Sequence, residues 1–210
     1  MDHVPPKEFF LPNQRTNLVT APLCIECHEK LSENDNRMRS WLSCALYANE
    51  AGKWIARNRT RKSLDADDRM RREMAGNISP VKVVGLPRGA GTIKEEQWRV
   101  RAFIIRLTKA FLYKYAPAYD YFPDFFTIRQ RTYHEEKAYL STLQKHDGGN
   151  NVFEAWGGLM TDNHTGGIWA FRFYEAGLFI CVHGKDVKYR QPIAPDSVPD
   201  GSLPKSLEPR

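Results

Sequence analysis

Cys24 and Cys27 enclose two residues, and His28 follows directly. That spacing makes a tight turn whose thiolates can clasp one Zn²⁺ ion while the next residue opens a helix. Of four cysteines in 210 residues, two are spaced this way, which suits a metal and a reducing compartment better than a disulfide framework. Cys44 and Cys181 stand alone and are expected to be buried thiols without a catalytic role. Upstream, Pro5, Pro6 and Pro12 exclude a helix and leave strand or loop for residues 1–16. Strand, thiolate turn and helix together predict a small metal-binding finger, and the remaining length accommodates a modest second domain.

Asp2-His3 carries the chemistry such a finger could use. Cleaving a phosphodiester with a metal requires a divalent cation that neutralises the phosphate and a base that deprotonates water on the far side. A neutral imidazole suits the base, since its unperturbed pKa is about 6.5. Along a strand, adjacent side chains point to opposite sides, so neighbouring Asp and His can divide the two tasks. If the strand bearing Asp2 packs against the helix start, Asp2 and His28 can hold one cation between them.

The order Asp-His-x-x-Pro, Asn17-Leu18, then Cys-x-x-Cys-His resembles the HNH endonucleases of the His-Me finger superfamily. More narrowly, DHVPPKEFFLPNQRTNLVTAPLCIEC is similar to bacterial HNH proteins with the signature EHVPPKxLF…NLxTVPxCxxCN. The resemblance covers roughly residues 2–45, and the segment 98–116 more loosely. It implies a ββα-metal, treble-clef-like finger in which His3 is the general base, Asp2 and His28 bind the catalytic cation, and Asn17 braces the turn holding the base. It further implies that Cys24 and Cys27 are half of a structural zinc site. The family's other Cys pair precedes the Asp-His, where this chain has only Met1, so the zinc ligand set is incomplete, and a truncated or misplaced start of a larger nuclease stands as a third reading beside an active nuclease and a degenerate finger. Lys30 also stands one position nearer His28 than in the commoner CHxxK form.

A formal net charge of +6 favours a polyanionic partner. Lys53, Arg57, Arg59, Arg61 and Lys62 lie in an acid-free run and are the candidate phosphate contacts. Arg69, Arg71 and Arg72 alternate with Asp65, Asp67, Asp68 and Glu73, the pattern of a salt-bridged helix surface. Nothing approaches the roughly 18–20 consecutive apolar residues of a membrane span, and no secretory leader is evident, so a soluble, cytoplasmic protein without a membrane partner is expected.

The fold class read from the pattern is α+β: finger at 1–48, α+β domain at 49–190, and a disordered Pro- and Ser-rich tail at 191–210. Ser32 with Asp35 reads as a helix start, ahead of Met38, Trp41, Leu42 and Leu46 at helical spacing. Residues 50–76 read as charged helix, Val81, Val83 and Val84 as a short strand, and the glycine cluster 85–91 as a hairpin or loop. The clearest helix spans about 94–116, with Val100, Phe103, Ile104, Leu107, Phe111 and Tyr115 on one face. Strand 125–130, helix 133–145, loop 146–150 and antiparallel strands across 151–183 complete the reading. The expected function is metal-dependent, HNH-type hydrolysis of DNA phosphodiesters with Mg²⁺ or another divalent cation. The alternative is a degenerate finger that only binds nucleic acid or a protein partner.

Overall fold

The computed structural model describes residues 2–15, 18–22, 25–80, 91–93, 95–116, 123–147, 151–159 and 166–185. The fold is mixed α+β and ends in an antiparallel sheet. Strand β1 (Asp2–His3) pairs antiparallel with β2 (Thr20–Ala21), and helix α1 (Ile25–Ser43) follows. Between the strands the proline-rich stretch forms short 3₁₀ turns at Lys7–Phe9 and Pro12–Gln14. The start expected at Ser32 moves to Ile25. Ser32 lies inside α1, where its hydroxyl donates back to the Glu29 carbonyl at 2.8 Å instead of capping.

The charged helical stretch is broken once, at the extended Asp67, and is not uniform. Helix α2 (Glu50–Ile55) starts at Asn49, whose Oδ1 accepts from the Gly52 N–H. A π turn over Ala56–Thr60 leads into α3 (Arg61–Ala66), and α4 (Asp68–Gly76) begins at Asp67, whose carboxylate accepts from the Met70 N–H. β3 (Ile78–Pro80) and β4 (Gly91–Ile93) pair antiparallel; the strand expected at 81–84 and most of the glycine cluster lie outside the described residues.

Helix α5 (Gln97–Tyr115) buries Phe103, Ile104, Leu107 and Phe111, as its periodicity predicts. Beyond it lie β5 (Phe125–Arg131), α6 (Tyr133–Leu140), β6 (Gln144–Asp147), β7 (Phe153–Leu159), β8 (Gly166–Phe173) and β9 (Gly177–Gly184). The strands form one five-stranded antiparallel sheet in the order β5-β9-β8-β7-β6. His146 and Asp147, expected in a loop, belong to β6, and the preceding helix stops at Leu140. Tertiary packing decides this: the His146 ring lies 4.2 Å from that of Tyr115 on α5.

Both sheet faces are covered, and strand alternation sorts the residues. Trp169, Phe171 and Phe173 of β8 turn toward α5, where Phe111 meets the first two edge-on at 5.4 and 5.3 Å. Ile168 and Ala170 turn the other way, toward Leu140 and Tyr133 of α6. At the β8–β9 turn, Tyr174 and Glu175 both have positive φ, the backbone a type I′ hairpin requires.

The larger core cluster includes Val4, Phe9, Phe10, Val19, Met38 and Leu42 together with Phe111, Phe153 and Phe179. Phe9 stacks on Phe103 at 5.4 Å and sits 5.7 Å from Phe173. A fully buried Phe contributes roughly 2 kcal/mol of apolar transfer free energy. The N-terminal ribbon is therefore built into the common core, and the boundary expected at residue 48 separates segments that share it. Cys181 is buried, and burial pushes its thiol up to about 12. Cys44, expected buried, is exposed. The tail at 191–210 lies outside the described residues.

Candidate metal centre

Two hydrogen-bonded segments set the position of Asp2 and His3. In the ribbon, Asp2 is opposite Ala21 and His3 opposite Thr20, and the Val4 N–H donates to the Val19 carbonyl at 2.8 Å. Val4, Val19 and Ala21 are buried, so the apolar side of this ribbon anchors it to the core. As β1 is extended, Asp2 and His3 project to opposite sides.

Asp2 uses both carboxylate oxygens. Oδ1 accepts the His3 N–H at 2.9 Å, and Oδ2 lies 3.1 Å from His28 Nδ1. His28 stands on the first turn of α1, 26 residues from Asp2 in the chain, and its side chain is 58% exposed against 20% for Asp2. The contact thus has a tethered carboxylate on one side and an accessible imidazole on the other. Cis ligands of an octahedral cation with bonds of about 2.1 Å stand roughly 3 Å apart. The Asp2–His28 separation fits such a pair.

His3 is half-buried, and its Nδ1 has no hydrogen-bond partner among the described residues. Asn17 and Cys24 lie outside the described residues, as does the side chain of Cys27. Among the described residues no group of three or more His, Cys, Asp or Glu side chains is placed to hold a metal ion. The structure therefore brings Asp2 and His28 together, with the His3 side chain on the other side of β1.

Sequence reasoning missed Asp35. It lies two helical turns beyond His28 on the same face of α1 and accepts from both terminal nitrogens of Arg106 on α5. Burial pushes its carboxyl above the ordinary value; Arg106 opposes this, and Asp2 and His28 lie within electrostatic reach. A carboxylate seven residues after the histidine was the available signal, but it was read as part of a helix start.

The basic run divides. Lys53, Arg57, Arg61 and Lys62 are exposed. Lys53 pairs with Glu50 at 2.7 Å and Arg61 approaches Asp65 at 3.9 Å, while Arg57 and Lys62 have no ion-pair partner among the described residues. Arg59 stands apart from the exposed members of the run: it lies in the π turn and is half-buried, and its Nη1 donates to the Glu8 carbonyl at 2.7 Å. Thr60 is buried beside it, 3.0 Å from the Ser43 hydroxyl of α1. The second charged group does form surface pairs, Arg71 with Asp68 and Arg69 with Glu33, both at 2.6 Å.

Among the described residues no helix is long and apolar enough to cross a membrane. No family model matches the chain, and no curated protein or solved structure matches it.

Proposed function

We propose that the chain is a metal-dependent endonuclease of the HNH type, hydrolysing DNA phosphodiester bonds through a ββα-metal finger formed by β1, β2 and α1. The observation that carries this reading is the 3.1 Å approach of Asp2 Oδ2 to His28 Nδ1, with His3 turned to the other side of the same strand. Asp2 and His28 would hold Mg²⁺ or another divalent cation, which would supply charge neutralisation at the phosphate and at the leaving oxygen. The Asp2 oxygen on the His3 N–H orients the carboxylate toward His28. The His3 imidazole accepts the proton of the attacking water. In the same reading Asn17 braces the turn behind His3, and Cys24 and Cys27 contribute to a zinc clamp. Lys53, Arg57, Arg61 and Lys62 contact the DNA backbone.

The test is nicking of supercoiled plasmid by purified protein with Mg²⁺ or Mn²⁺. Nicking is expected to stop with EDTA, and to fall at least about 10²-fold in His3→Ala, the loss general-base removal brings. Metal-independent nicking, or a His3→Ala protein as active as its parent, defeats the proposal. A second reading is a finger that binds nucleic acid or a protein partner without cutting. The lack of a third His, Cys, Asp or Glu beside Asp2 and His28 among the described residues favours it. It expects salt-dependent binding that needs no divalent cation and survives His3→Ala.

A further inference from the structure

Three guanidinium groups gather where the first 3₁₀ turn, α1 and the π turn meet. Arg59 donates to the Glu8 carbonyl, while the Tyr174 hydroxyl donates to the next carbonyl, that of Phe9, at 3.0 Å. Arg39 of α1 is 7% exposed and is held by Ser63 Oγ at 2.8 Å and by Asn36 Oδ1. Arg15 follows the second 3₁₀ turn and is half-buried. Burial, with Arg15 close enough to repel it, pushes the Arg59 guanidinium down from its ordinary value, and burial, with Arg59 as the repelling neighbour, does the same to Arg39.

The cluster is short of anions. Glu8 is the carboxylate that faces both Arg39 and Arg59, and none of the three arginines forms an ion pair among the described residues. The Nε atoms of Arg15 and Arg39 are buried without a hydrogen-bond partner there. Buried donors on charged groups without acceptors are costly, and an anion placed beside these two, with Arg59 as a third cation, would offset that cost. Arg39 is buried, while the half-buried Arg15 and Arg59 reach solvent.

We propose that Arg15, Arg39 and Arg59 form an oxyanion site that takes a phosphate group, either a phosphate of a polynucleotide backbone or free inorganic phosphate. Planar guanidinium forks match phosphate oxygens in two-pronged fashion, and three of them suit a doubly charged tetrahedral ion better than a carboxylate. The polynucleotide source rests on the nuclease reading; the site itself does not.

The experiment uses the full chain freed of metal with EDTA, so it involves no strand cleavage and fails independently of the nuclease proposal. Inorganic phosphate is titrated calorimetrically at constant ionic strength set with chloride. Saturable binding is expected, weakened about tenfold or more in Arg15→Gln and Arg59→Gln and unchanged in Arg71→Gln on α4. Arg15 makes no hydrogen bond among the described residues, so its replacement leaves the fold intact, a point circular dichroism checks. A single-stranded oligonucleotide titrated in parallel identifies the source. Weaker binding in Arg15→Gln with a salt slope reduced by about one assigns the backbone, and an unchanged oligonucleotide affinity assigns free phosphate. Absent phosphate binding in the parent, or binding indifferent to both substitutions, overturns the site.

Discussion

Asp35 in the middle of α1 and Arg106 in the middle of α5 join through both terminal guanidinium nitrogens, with side chains only 13% and 10% exposed. The pair fastens the helix that carries His28 to the helix that carries the core face. Arg37, two residues on and so on another face of α1, makes its own ion pairs at 3.1 Å from Glu95 and 3.2 Å from Glu73. The position of His28 thus depends on buried charges as well as on apolar packing.

Asp35→Ala is expected to destabilise the protein by about 3–5 kcal/mol, because it strands a buried guanidinium. Replacing both partners, Asp35→Leu with Arg106→Met, is expected to recover most of that loss. Urea unfolding of the single and double variants measures the coupling. Equal stability of Asp35→Ala and the parent would show that the pair does not hold the helices together.

Acid is expected to weaken the fold through His183. The residue is fully buried in β9, and burial pushes its imidazole down to about 4. The unfolded chain takes up that proton near pH 6.5, the folded chain only near 4. The contribution is therefore complete above pH 6.5 and is lost as pH falls toward 4, by roughly 3 kcal/mol in total. His146, also pushed down by burial, adds in the same direction. Stability measured from pH 7 to 4 should fall less steeply in His183→Gln than in the parent.

Close approach makes two glycines sensitive to one added methyl. A Cβ at Gly157 would stand 2.2 Å from Trp169 Cε3, and one at Gly52 would stand 2.9 Å from both Ala48 Cβ and Tyr174 Cβ. Alanine at either position is expected to cost about 1–3 kcal/mol through overpacking, with Gly157 the more damaging. Gly76, with open space around it, is the control, and Gly76→Ala should be neutral or stabilising by about 0.5 kcal/mol. Thermal unfolding ranks the three.

Tyr174→Phe removes the hydroxyl donated to the Phe9 carbonyl and leaves that buried acceptor unmatched. A loss of about 1–3 kcal/mol is expected. Hydrogen exchange should show faster opening around residues 4–10 than around β7 to β9. Uniform loss of protection would mean that Tyr174 supports the whole sheet and not the ribbon in particular.

Periodicity made α5 and the hairpin β8–β9 legible, because Phe103, Ile104, Leu107 and Phe111 recur at helical spacing and the strands alternate. The Asp2–His28 contact was also legible, since a paired strand before a helix start leaves little freedom in where the two side chains go. Asp35 and Arg59 were not. A helix wheel places Asp35 among solvent-facing charges until its partner on α5, 71 residues away, is known. The half-buried Arg59 lies in the π turn, whose widened hydrogen bonding leaves no composition signal in Ala56–Thr60. The strand at His146 escaped notice for a related reason: its partner is in β7 and its ring partner on α5.

Phe9 stacks on Phe103 while its carbonyl receives the Tyr174 hydroxyl, so the loop behind the Asp2–His3 strand is gripped by an element 165 residues further on. A segment held in this way is not portable. Transplanted to another scaffold, residues 2–43 would expose Val4, Phe9 and Phe10 and lose the wall against which the strand is aimed. The geometry of Asp2, His3 and His28 belongs to the entire chain, and substitutions deep in the C-terminal sheet should register at the N-terminal histidine.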